Sequence, residues 1–115
     1  MSSSGDYWPA FFSANLRRPG VNEQPQFEWD TSKAASNLEK HGVEFDEAQT
    51  VFNDPMFITV IDEEHSDDEE RYITIGMSNR GRLLMVAHTD RNERIRLISA
   101  RRATRGEELF YAEAE

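Results

Sequence analysis

The chain has 115 residues, a formal net charge of −9, 37% hydrophobic and 30% charged residues, which is enough for one small domain with a modest core and a solvated surface. No run approaches the roughly 18 apolar residues of a membrane-spanning helix and no basic flank precedes an apolar core at the N-terminus, so the sequence reads as cytoplasmic. With no cysteine, disulfides, thiolate metal sites and cysteine nucleophiles are excluded together.

Residues 1–26 read as an N-terminal extension, because Pro9, Pro19, Gly20 and Pro25 interrupt any regular element. Its aromatics Tyr7, Trp8, Phe11 and Phe12 suit a partly ordered arm laid on this domain or a neighbouring copy, or a segment that binds a partner. The domain proper is expected over 27–115. Asp30, Thr31 or Ser32 caps a helix that runs to about His41, where Gly42 supplies a left-handed stop. Ala34, Ala35 and Leu38 mark its expected buried side, while Lys33, Asn37, Lys40 and His41 form a polar stripe. A second helix is expected from near Asp46, with Phe45, Ala48, Val51 and Phe52 at helical spacing, ending before Pro55.

Four strand-like segments follow: "MFITVI" (56–61), "RYITIGM" (71–77), "RLLMVAH" (82–88) and "RIRLISA" (94–100). The connectors "SNRG" and "TDRN" suit hairpins, so the strands are expected to be antiparallel. "TRGE" offers a capping box, Thr104 with Glu107, for a last helix containing Leu109, Phe110 and Tyr111. The predicted order is ααββββα, an α+β fold with two helices packed on a four-stranded antiparallel sheet and a C-terminal helix after it.

Charge is segregated along this order. Residues 80–105 hold Arg80, Arg82, Arg91, Arg94, Arg96, Arg101, Arg102 and Arg105 against Asp90 and Glu93, whereas "DEEHSDDEE" (62–70) is almost wholly acidic. Strict alternation in the last strand places Arg94, Arg96, Ile98 and Ala100 on one face and Ile95, Leu97, Ser99 and Arg101 on the other, although Arg101, at the strand end, can turn toward either. The acidic run lacks the glycine and spaced terminal glutamate of an EF-hand, and His41, His65 and His88 have no metal-ligand spacing, so no metal site or cofactor is expected. No GxSxG, P-loop or GxGxxG is present. Physical pattern alone gives a small α+β domain with a cationic sheet edge.

Taken together, "FEWDTSKAASNLEKHGVEFDEAQTVFNDP", "EERYITIG", "GRLLMVAHT" and "RIRLISARRAT" resemble the BrnT family, toxins of BrnT/BrnA type II toxin–antitoxin systems, over roughly residues 27–112. The resemblance implies a RelE-like fold and a ribonuclease toxin neutralised by a BrnA-like antitoxin, in a hetero-oligomer that reaches DNA only through the antitoxin. The expected chemistry is metal-independent attack of a ribose 2′-hydroxyl on its adjacent phosphate, which needs cations around the developing charge and a proton acceptor. On this reading Arg101 and Arg96 clamp phosphate, His41 or His88 is the base, Lys33, Lys40 and Arg94 assist RNA binding, and Trp29 stacks on a base. The alternative is a non-catalytic domain of the same fold that acts only as antitoxin-binding corepressor.

Overall fold

The structure, a computed structural model, describes residues 26–65 and 69–114. Its elements are β1 (Gln26–Glu28), α1 (Thr31–His41), α2 (Phe45–Ala48) running on into a 3₁₀ segment (Gln49–Asn53), β2 (Ile58–Ile61), a 3₁₀ turn (Glu63–His65), β3 (Arg71–Met77), β4 (Leu83–Arg91), β5 (Arg94–Arg102) and α3 (Arg105–Glu113). The sheet has five strands, not four, in the order β1-β5-β4-β3-β2. β1 runs parallel to β5 and every other neighbour pair is antiparallel. The α+β class therefore holds, with an extra edge strand. A three-residue strand beside Pro25 is too short to show a period, so its pairing with a strand almost seventy positions away leaves no local signal. The aromatic arm lies outside the described residues except for Gln26, which belongs to β1.

Local chemistry explains the element ends. Asp30 caps α1 by accepting from the Ser32 and Lys33 amides at 2.7 and 3.2 Å. Gly42 ends it at φ 70°, its amide reaching the Leu38 carbonyl at 2.8 Å. The second helix is shorter than its pattern suggested, a single α turn that tightens into 3₁₀ geometry before Asp54. The β3–β4 connection turns at Gly81, φ 76°. In the β4–β5 hairpin, Asn92 and Glu93 occupy the two turn positions with φ 54° and 64°, so β4 runs past the expected His88 to Arg91, while β5 starts at Arg94 as expected and runs on to Arg102. Thr104 and Glu107 form the predicted capping box of α3.

The core lies between the sheet and the α1–α2 layer. Val43, Phe45, Ala48, Val51 and Phe52 pack on Leu84, Val86, Ile95, Leu97 and Ala100, with Phe27, Trp29 and Ala34 at the margin. The inward side of α1 differs from the expected one. Leu38 and Ala35 are exposed, whereas Asn37, read as part of a polar stripe, is 5% exposed. Its side chain donates to the Val43 and Ala100 carbonyls at 3.0 and 2.8 Å and accepts from the Ala100 amide at 3.0 Å. β1 stops opposite Arg96; farther along the same strand, Asn37 supplies the donor and acceptor that a neighbouring strand would have supplied.

Candidate nucleic-acid interface

The pairing of β5 with β4 contains a bulge. Leu97 opposes His88 and Ser99 opposes Ala87, leaving Ile98 as the extra residue. One inserted residue inverts the side-chain alternation beyond it. Ile95, Leu97 and Ala100 consequently all enter the core, and Arg94, Arg96, Ser99 and Arg101 share the opposite face. Strict alternation put Arg94 and Arg96 on one face and left Arg101, at the strand end, able to turn to either; the bulge sets it on theirs. Asn37 clamps the backbone of Ala100, next to Arg101, and so fixes the segment that carries the inversion.

Carboxylates meet these cations. Glu28, opposite Arg96 in the β1–β5 register, lies 3.3 Å from Arg96 and 3.8 Å from Arg94. Glu107 from α3 takes Arg101 in a two-pronged pair, Oε1 to Nη1 at 3.0 Å and Oε2 to Nη2 at 2.9 Å. Glu107 Oε1 also accepts from the Thr104 amide at 2.9 Å. Partial burial pushes the Glu107 carboxyl up, but the hydrogen bonds from Arg101 and Thr104 outweigh it and hold the group below the usual carboxylate range. At the hairpin end of the sheet Arg91 pairs with Glu69 at 2.7 Å. The Arg101 side chain is one-third exposed, so an incoming anion can reach it.

The remaining predicted site residues lie elsewhere. Lys33, Lys40 and His41 are exposed on α1, beside β5 but on the layer that carries the core. His41 adjoins Gly42, whose carbonyl accepts from Arg82 at 3.2 Å, which puts it toward the end of the sheet where β5 finishes. Two expectations are corrected. Trp29 is partly buried, its ring edge-on to Phe45 with centroids 5.8 Å apart, and works as a plug at the core margin, not as an open platform for a base. His88 is 1% exposed, inside the core layer, with Nε2 2.7 Å from Thr74 Oγ1 and its ring against Phe52 and Tyr72. Burial pushes its pKa down to about 3, so it is neutral near pH 7 and shielded from any surface-bound RNA.

Sequence reasoning missed three contributors: Glu28, Asn37 and the second role of Glu107. The capping-box pattern located Glu107 but carries no information on Arg101, and Glu28 required the β1–β5 pairing. Among the described residues, no group of three or more His, Asp or Glu is arranged to hold a metal ion.

The comparisons with known proteins agree with this architecture. No curated protein matches the sequence significantly. Among solved structures the fold is similar to the crystal structure of the Brucella abortus ribonuclease toxin BrnT, at 20% sequence identity and a TM-score of 0.52, covering 71% of this chain and 100% of that one. The family described as "Ribonuclease toxin, BrnT, of type II toxin-antitoxin system" matches residues 29–107, which span α1 through the capping box of α3. That match takes in most of the chain, with Arg94, Arg96 and the Arg101–Glu107 pair, and the chain belongs to the BrnT family of ribonuclease toxins of type II toxin–antitoxin systems.

Proposed function

We propose that this chain is itself an endoribonuclease, that it cleaves RNA without a metal, and that a BrnA-like antitoxin neutralises it. The observation that carries the reading is the bulge at Ile98, which brings Arg94, Arg96 and Arg101 to one face of β5. Guanidinium groups there hold a scissile phosphate through paired N–H donors and stabilise the negative charge that builds as the 2′-hydroxyl attacks. Arg101 and Arg96 clamp the phosphate and Arg94 holds the adjoining backbone. Of the histidines named as base, His41 is the exposed one; it lies on the α1 layer, so in this scheme the RNA bends round the end of β5 from the arginine face to bring the 2′-hydroxyl proton within its reach. Lys33 and Lys40, both exposed, attract backbone phosphates farther out. The domain boundary near residue 27 and a RelE-like layout belong to the same proposal. So does residence in the cytoplasm in a hetero-oligomer with the antitoxin, whose DNA-binding part carries the pair to its operon; among the described residues no helix is long and apolar enough to cross a membrane.

A second reading has its own support. Arg94, Arg96 and Arg101 each meet a carboxylate of the same chain, as would suit a non-catalytic corepressor whose sheet face meets only the antitoxin. Expression without antitoxin separates the two. Arg101→Ala should relieve growth arrest while circular dichroism shows an unchanged fold, since loss of a partly exposed arginine costs little stability. Full toxicity of the folded variant at equal expression contradicts the clamp.

A further inference from the structure

The Arg101–Glu107 pair has the geometry of a ligand in its seat. Each terminal nitrogen of Arg101 meets one oxygen of Glu107, at 3.0 and 2.9 Å, the two-pronged arrangement in which a guanidinium also binds a phosphate. Apart from this pair, the contact seen at those nitrogens is from Nη1 to the Arg102 carbonyl at 3.1 Å. A phosphate bound in the same way must take the place of the carboxylate.

The element that delivers Glu107 is lightly held. No residue of α3 is buried, and Leu109 and Phe110 are 52% and 46% exposed. At its far end the Tyr111 hydroxyl donates to Asp54 Oδ2 at 2.6 Å, and Asp54 is fixed in turn by the Met56 and Met77 amides at 2.9 and 2.8 Å. Among the described residues, polar contacts thus tie the helix to the domain near each end, and Leu109 and Phe110 between them stay about half exposed. Partly exposed ion pairs and hydrogen bonds of this kind open at modest cost when a competing anion arrives.

We infer that Glu107 is a resident occupant of the phosphate seat on Arg101 and that α3 is an autoinhibitory strap, which RNA must displace before the arginine can engage its backbone. The inference rests on the proposed role of Arg101 and adds the competitor for it. It also explains how an acidic chain carries an arginine face without leaving it open.

The test uses the full chain purified without antitoxin and a fluorescein-labelled single-stranded 2′-O-methyl RNA, which presents phosphates but has no 2′-hydroxyl to react. Glu107→Gln keeps the capping box, because a glutamine carbonyl can accept from the Thr104 amide, yet removes the charge. It should bind this RNA roughly threefold to thirtyfold tighter than the parent, with a salt dependence steeper by about one phosphate contact. Tyr111→Phe, which loosens the far end of the strap and leaves Glu107 in place, should bind about twofold to fivefold tighter. Adding Arg101→Ala to Glu107→Gln should abolish the gain. If Arg101→Ala weakens binding but folded Glu107→Gln binds no tighter than the parent, the strap is overturned and the clamp stands. If Arg101→Ala leaves binding unchanged, the clamp itself fails and the strap with it. Should Glu107→Gln not fold, Tyr111→Phe decides, and parent-like affinity overturns the inference.

Discussion

His88 shows how a residue's chemistry is set by its place. As one of three histidines in the sequence it suited a base; in the fold it belongs to a buried chain in which Thr59 Oγ1 and Thr74 Oγ1 are 2.7 Å apart and Thr74 is 2.7 Å from the imidazole. That makes it a determinant of stability. The unfolded imidazole titrates near 6.5 and the buried one near 3, so below about pH 6.5 the unfolded state takes up a proton that the folded state refuses. The stability contributed by the neutral group is complete above that pH and declines as the pH falls toward 3. Urea unfolding from about pH 6.5 to pH 5 should lose stability with a limiting slope of about 1.4 kcal/mol per pH unit, and His88→Gln should remove that component. A parent whose stability is flat over this interval would contradict the assignment.

At the scale of elements, what local chemistry determines was legible and what depends on distant pairing was not. Asp30, Gly42, Thr104 and Glu107 announce the ends of α1 and the start of α3, because caps act within a turn. The alternation of apolar residues locates β3, β4 and β5. β1 was hidden because "QFE" acquires its identity only beside Arg94–Arg96. The bulge at Ile98 was hidden because "RLISAR" reads equally well with or without an inserted residue, and the arginine face depends on that one position. Asn37 looked like a surface residue since nothing near it announces the bare edge of β5 that it covers. Its removal should be costly: Asn37→Ala breaks three hydrogen bonds and leaves both polar groups of Ala100 without these partners in a buried place, a loss of about 2–4 kcal/mol in urea unfolding. A loss below about 0.5 kcal/mol would show that water replaces the amide, and that α1 does not hold the end of β5 through it.

Across the whole molecule, the formal charge of −9 and the arginine-rich strand are reconciled by placement. Glu28, Glu69 and Glu107 come from β1, from the acidic connection before β3 and from α3, and each meets an arginine of β4 or β5. The sheet face is therefore cationic in composition yet locally neutralised, and its attraction for a polyanion is short in range. The family implies an antitoxin partner. Mapping the ends of a single-stranded RNA incubated in EDTA with the antitoxin-free protein tests the central claim most directly. The account predicts 2′,3′-cyclic phosphate and 5′-hydroxyl ends from the parent and their disappearance with Arg101→Ala. Intact RNA with the folded parent, or identical ends and rates with Arg101→Ala, would contradict it.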